Sequence, residues 1–157
     1  MRLKNREITE WNDIIETIKK CEVCRIAMND ESAPYIVPLN FGMEVIEKEL
    51  YLFFHSALEG KKVDLLRKNP HVAFEMEREH EIYVNDANTM CSCAYASIIG
   101  KGIMEEVESK DKKRTMDILL AQVPEHQNVK YNEKVLDKVI MWRLRVHEIS
   151  GKRNLKQ

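Results

Sequence analysis

The spacing of apolar residues changes period several times along the chain, and each change marks an element. Trp11, Ile14, Ile15 and Ile18 recur at i, i+3, i+4 and i+7, the stripe of an amphipathic helix. Thr9 can cap it, so a first helix is predicted through Lys20. Strand-like runs follow. Val23–Met28 predicts a first strand, NDESA a turn, and PYIVPLNFGM (34–43) a second strand interrupted by Pro38. EVIEKE reads as a hairpin loop leading into a third strand, LYLFFH. A short helix is predicted over Glu59–Lys68, with Val63, Leu65 and Leu66 as its buried face. Asn69-Pro70 closes it, because the residue before proline is pushed out of the helical region.

HVAFEMER predicts a fourth strand, and the polar, unpatterned stretch Glu79–Thr89 a loop. Tyr95–Val107 predicts a long strand with Gly100 and Gly102 in its middle. Such a pair implies a bulge, a sharp bend, or backbone that a ligand approaches closely. A third helix is expected from Ser109, with Met116, Leu119, Leu120 and Val123 on one side; Pro124–Lys134 is loop-like, and Val139–Ile149 is a last strand. About six strands and three short helices in mixed order predict an α+β, mainly β, single domain over residues 1–157. The hairpins and the glycine-bent strand favour an antiparallel barrel over a parallel sheet. A chain of this size buries roughly 70% of its unfolded surface, enough for a core without staples.

Charge narrows the partners. The formal net charge is −1, and no basic stripe suggests a nucleic-acid footprint. No apolar run approaches the ~20 residues of a membrane span, and MRLKNREITEWND lacks the apolar centre of an export signal. The expectation is a soluble cytoplasmic protein with neither nucleic acid nor membrane as partner. The four cysteines fall in two pairs, Cys21 and Cys24 in CEVC and Cys91 and Cys93 in CSC. A zinc site is one reading of four thiols. Residues three apart on a strand face opposite ways, however. No metal is therefore expected, and the thiols are read as small hydrophobes.

The junction FFHSALEGKK, where the third strand runs into the second helix, carries the candidate chemistry. Lys61 and Lys62 sit near the front of a helix, where the dipole favours negative charge. Two readings fit. In one, Ser56 and Glu59 form a capping box and the lysines are a solvated face. In the other, Ser56, Gly60, Lys61 and Lys62 surround free helix N–H groups and make a phosphate site. Pro38 adds a second feature. It cannot donate to a ladder, so its strand is an edge there or faces something other than a strand; either the backbone of Val37, Pro38, Leu39 and Asn40 serves a flat ligand, or the proline merely guards an edge. No GxGxxG or Walker motif opens a helix.

The segment VPLNFGMEVIEKELYLFFHSALEGKKVDLLRKNPHVAFE resembles the flavin-binding split-barrel family related to pyridoxamine 5'-phosphate oxidase, and within it the nitroimidazole-resistance branch. VCRIAM, SIIGKG and the closing EISGKR extend the resemblance over nearly the whole chain. The resemblance implies a six-stranded split barrel, a homodimer, and a flavin at the subunit interface, usually flavin mononucleotide (FMN), with FAD possible. It assigns Ser56, Lys61 and Lys62 to the flavin phosphate and Val37–Asn40 to the ring. It places Ser97 at the cofactor from the second subunit and Lys152 near a C-terminal cofactor contact. The tryptophan and the arginine-histidine motif that the oxidase branch carries near its C-terminus are missing here, which argues against pyridoxamine phosphate as substrate.

The expected activity is a flavin-dependent reductase passing electrons from NADPH or NADH to a small acceptor such as a nitroaromatic. His55 is the candidate proton donor, against a structural role at a strand end; Tyr95 and Cys93 are weaker candidates. The alternatives are a non-catalytic flavin carrier or sensor, and a zinc or iron–sulfur module on the cysteines.

Overall fold

In the computed structural model, which describes residues 3–85, 90–123 and 130–155, the first apolar stripe becomes helix α1 (Trp11–Lys19), burying Ile14, Ile15 and Ile18. Glu10 rather than Thr9 occupies its N-cap. Eight strands follow one another as β1 (Glu7–Ile8), β2 (Cys24–Met28), β3 (Tyr35–Leu39), β4 (Gly42–Ile46), β5 (Glu49–Ala57), β6 (His71–Asn85), β7 (Met90–Glu106) and β8 (Val139–Asn154). Helix α2 (Lys61–Lys68) follows β5, and α3 (Lys112–Ala121) lies between β7 and β8. No helix among the described residues is long and apolar enough to cross a membrane.

All pairings are antiparallel, in the order β3-β2-β6-β7-β8-β5-β4, with β1 added to β8. β3 and β4 are neighbours in sequence, joined through Asn40 and Phe41, yet they end this order on opposite sides. The barrel is split between them. This is the expected α+β split barrel with eight strands in place of six. Its interior is filled by side chains from most strands, among them Ile26, Leu52, Phe54, Phe74, Met76, Ile98 and Leu144, none more than 1% exposed, and α1 packs Ile18 onto the same cluster.

Several boundaries differ from the sequence reading. The predicted second strand is two strands, because the chain leaves one side of the split at Asn40 and enters the other at Gly42. Most of the predicted EVIEKE loop is strand: β4 and β5 pair from Gly42↔Phe53 to Ile46↔Glu49, and only Glu47 and Lys48 turn, both at positive φ (50° and 72°). Two-residue hairpins demand that conformation. The predicted loop 79–89 is strand through Asn85, paired with β7 beyond a register shift between Arg78 and Glu81; residues 86–89 lie outside the described part. The third helix begins as a 3-10 turn (Ser109–Asp111) and ends before Val123. Within the predicted loop 124–134, residues 124–129 lie outside the described part, and Glu133 opens a 3-10 helix that runs to Lys138.

The glycine pair in β7 has a packing cause. The ladder with β8 shifts register between Lys101 and Gly102, so the bulge is present. At Gly100, a Cβ would stand 2.4 Å from the Phe74 ring and 2.7 Å from the Glu148 carbonyl oxygen. Phe74 of the barrel core fills the space that a side chain at Gly100 would need.

Candidate functional site

The split leaves the ends of β3 and β5 and the start of α2 around one space. A cavity of about 490 Å³ lies there, within the range of small-ligand sites. β3 and its exit contribute Pro38, Leu39 and Asn40; β5 contributes His55, Ser56 and Ala57; α2 contributes Lys62; and the entry to β8 contributes Lys138 and Val139. The ladder explains the meeting of β5 and β8, since Ala57 pairs with Val139 and Ser56 with Ile140. Among the described residues β3 pairs only with β2, which leaves its other edge open, and Pro38 lies on that edge strand.

No capping box forms at α2. Gly60 is the N-cap, at φ 128°, with no side-chain cap, and Ser56 is still within β5. Val63 and Asp64 donate to the Gly60 carbonyl at 2.8 and 3.1 Å. The Lys61 and Lys62 amides are left without a partner among the described residues, as the first donors of a helix are.

The two lysines differ. Lys61 turns away from the cavity; its ammonium meets Asp30 at 2.7 Å and lies 4.9 Å from the Tyr35 ring centroid. The hydrogen bond to Asp30, and then the charge of Asp30, raise the Lys61 pKa. Lys62 is half-buried in the cavity wall, and desolvation pushes its pKa below the ordinary lysine value. Among the described residues no carboxylate pairs with Lys62 or with Lys138. Among the described residues no acidic side chain lines the cavity. His55 opens onto the same space, and its pKa is lowered by partial burial and then by the Lys62 charge.

Ser56 is only 5% exposed. Its hydroxyl accepts from the Trp142 indole at 2.9 Å and donates to the Ala57 carbonyl at 2.9 Å. Its single proton is therefore engaged, which makes it first of all a fixed part of the wall.

Of the residues expected at a cofactor, Pro38, Leu39, Asn40, His55, Ser56 and Lys62 line one cavity. Gly60 caps the helix beside it. The Val37 side chain packs on the core, while its backbone stays on the β3 edge. Ser97 and Lys152 face each other across β7 and β8 and do not line this cavity; the Lys152 ammonium lies 5.3 Å from the Tyr95 ring centroid. Sequence reasoning missed Lys138, Val139 and the Trp142–Ser56 bond, because the β5–β8 register that creates them leaves no local signal.

The cysteines separate into two environments. Cys21 and Cys24 are buried; burial pushes the Cys21 thiol up to about 11 and raises that of Cys24 as well. Cys93 is half-buried and Cys91 exposed, both on β7. Among the described residues no group of three or more His, Cys, Asp or Glu is placed to hold a metal.

Comparison with known proteins gives this geometry a context. The sequence model of the family described as pyridoxamine 5'-phosphate oxidase matches residues 10–153. No curated protein sequence matches the chain. Among solved structures, a protein from Bacteroides thetaiotaomicron VPI-5482, provisionally described as a 5-nitroimidazole antibiotic resistance protein, superposes with a TM-score of 0.81 at 26% identity, covering 94% of this chain and 86% of that one. A FAD-binding protein from Mesorhizobium loti gives a TM-score of 0.67 at 18% identity over 95% and 97% of the two chains. A FAD and heme binding protein from Mycobacterium smegmatis gives 0.76 at 15% identity over 97% and 76%. At those identities the last two report the fold alone.

Proposed function

We propose a function from two premises: the chain belongs to the pyridoxamine 5'-phosphate oxidase family, and its cavity has the chemistry of an anion site. The chain binds a flavin, FMN or FAD, with a phosphate of the cofactor at the start of α2. It acts as an oxidoreductase that takes electrons from NADPH or NADH and reduces a small acceptor such as a nitroaromatic. The observation that carries this reading is Lys62, a half-buried cation that has no counter-ion among the described residues, in a cavity that no described carboxylate lines. Burying an unpaired charge is costly, and a phosphate removes that cost. The FAD-binding descriptions of two structural neighbours support the same cofactor class.

The flavin, when bound, supplies the electron-transfer chemistry; the protein supplies binding, orientation and electrostatics. Lys62 and the Lys61 and Lys62 amides hold the phosphate, and binding there positions the rest of the ligand without touching the reacting atoms. The open edge of β3 at Val37–Asn40 offers backbone donors and acceptors to a flat ring. Partial burial and then the Lys62 charge lower the His55 pKa, which favours the neutral imidazole, with N–H on one ring nitrogen and a lone pair on the other. Such an imidazole would act as a relay, its lone-pair nitrogen taking a proton from solvent as its N–H nitrogen gives one up.

A homodimer belongs to the proposal: Ser97 and Lys152 stand outside the cavity, and the family resemblance brings Ser97 to the cofactor from a second copy. Ile82, Val84 and Ile99, each more than half exposed on one face of β6–β7, offer apolar surface for that contact.

The test starts from the absorbance spectrum of the purified protein and mass spectrometry of the heat-released cofactor, which separates FMN from FAD. Colourless protein that takes up neither overturns the flavin reading. Steady-state NADPH and NADH oxidation, with and without a nitroaromatic, then tests turnover; flavin without turnover identifies a carrier or sensor. Light scattering that gives a monomer at micromolar concentration overturns the dimer.

A further inference from the structure

We infer that Lys138, not the Lys61 side chain, is the second cation that holds the phosphate beside Lys62. The inference rests on the flavin reading above and adds a residue to it. A phosphate monoester carries about −1.5 to −2 charge near neutral pH, and a diphosphate linkage is similarly charged. One lysine does not match it, and burial and the Lys62 charge both disfavour the charged form of His55. Lys61 is the neighbour in sequence, but its ammonium is occupied by Asp30 at 2.7 Å and does not line the cavity. Lys138 does line it, from the wall opposite in sequence, and no carboxylate among the described residues pairs with it.

The position of Lys138 is built. It ends the 3-10 helix Glu133–Lys138, and the next residue, Val139, enters the ladder opposite Ala57. The Lys112 ammonium donates to the carbonyls on either side of it, to Leu136 at 3.0 Å and to Val139 at 2.7 Å. Leu136 is buried in a small cluster with Leu119 and Met141. The backbone that carries Lys138 is thus pinned at the cavity rim while its side chain remains unpaired. With its backbone already ordered, Lys138 gives up only side-chain freedom on meeting an anion.

The experiment measures FMN and riboflavin affinities by fluorescence quenching, for the wild type and for Lys62→Gln, Lys138→Gln, Lys138→Arg, Lys61→Gln and Lys68→Gln. Lys62→Gln and Lys138→Gln should each lose about tenfold or more for FMN, as expected for one charge-assisted hydrogen bond. Their riboflavin affinity should stay within about twofold, because riboflavin has no phosphate. Lys138→Arg should retain FMN affinity within about threefold, Lys61→Gln should lose less than Lys138→Gln, and Lys68→Gln, further along α2, serves as the unchanged control. If Lys138→Gln behaves like Lys68→Gln while Lys62→Gln loses FMN, the inference about Lys138 fails and the flavin site stands. If Lys61→Gln loses as much as Lys62→Gln and Lys138→Gln loses nothing, Lys61 is the second cation. If the wild type binds FMN no better than riboflavin, the phosphate reading itself fails, and this inference with it.

Discussion

Replacing Ser56 with alanine separates the architecture of the cavity from its chemistry. The Trp142 indole N–H ends on the Ser56 hydroxyl at 2.9 Å, and both residues are buried, at 3% and 5% exposure. Alanine removes the acceptor and leaves the buried indole N–H without its partner. A buried unsatisfied donor costs about 1–3 kcal/mol. Taking about 2 kcal/mol, and 2–4 °C per kcal/mol for a domain of this size, the melting temperature of flavin-free protein should fall by roughly 4–8 °C. The assay is urea and thermal unfolding without ligand, repeated on a Trp142→Phe background. Phenylalanine has no N–H to strand, so Ser56→Ala should cost about 0.5 kcal/mol or less there. The difference between backgrounds isolates the bond. An equal cost of Ser56→Ala in both would refute the reasoning and assign the effect to packing. The Ser56 proton already goes to the Ala57 carbonyl, so Ser56→Ala should weaken FMN binding less than Lys62→Gln does.

The remaining predictions address other parts of the site and the fold. The His55 imidazole should titrate below the ordinary value of 6.5, and Lys62→Gln should return it only part of the way, because burial is the larger cause; proton NMR at varied pH reads both. Since the unfolded state binds that proton more readily, the stability that His55 contributes is complete above 6.5 and declines as pH falls below it. Gly100→Ala forces a Cβ against the Phe74 ring and the Glu148 carbonyl and should cost about 1–3 kcal/mol, read as a shifted urea midpoint. An aromatic disulfide reagent should leave buried Cys21 and Cys24 unmodified in native protein and react with them only after unfolding; fast reaction of both in native protein would mean that the β2 end of the core opens readily.

How much of this was legible in the sequence depended on how local the cause was. The α1 stripe and the strand cores announce themselves because burial imposes a period. The six cavity residues foreseen lie in two short segments, 38–40 and 55–62, where proline, glycine and lysine each break a local rule. The β4–β5 turn escaped because Glu47 and Lys48 adopt positive φ without the Asn-Gly or Asp-Gly pair that normally signals it. The outer part of the β6–β7 ribbon escaped because Ile82 and Val84 face solvent, so no buried face imposes a clear alternation on 79–85. At Gly100 the sequence admitted ligand approach, bulge or bend, and the structure supplies a bulge and an aromatic ring. Ser56 presented a capping-box pattern with Glu59, yet its partner is Trp142, 86 residues away. Lys138 was invisible for the same reason, since only the pairing of β5 with β8 brings it to the rim.

The two lysines that open α2 also predict a conflict between stability and binding. Cations in the first turn oppose the helix dipole by about 0.3–1 kcal/mol each. Asp30 offsets Lys61; nothing among the described residues offsets Lys62, which is desolvated as well. Local rules broken without compensation are expected where function demands them. Lys62→Met keeps the unbranched apolar stem against the wall and removes only the charge. In flavin-free protein at low ionic strength it should raise stability by about 0.3–1 kcal/mol, and about 0.15 M salt should shrink the gain by screening. The same substitution should lower FMN affinity by about tenfold or more. Lys61→Met should not stabilise, because it breaks the contact with Asp30 and the packing on Tyr35. Opposite signs for stability and affinity at position 62, and not at 61, are what a lysine retained for an anion produces. A Lys62→Met protein that is both less stable and unchanged in FMN binding would return Lys62 to the role of an ordinary packed side chain.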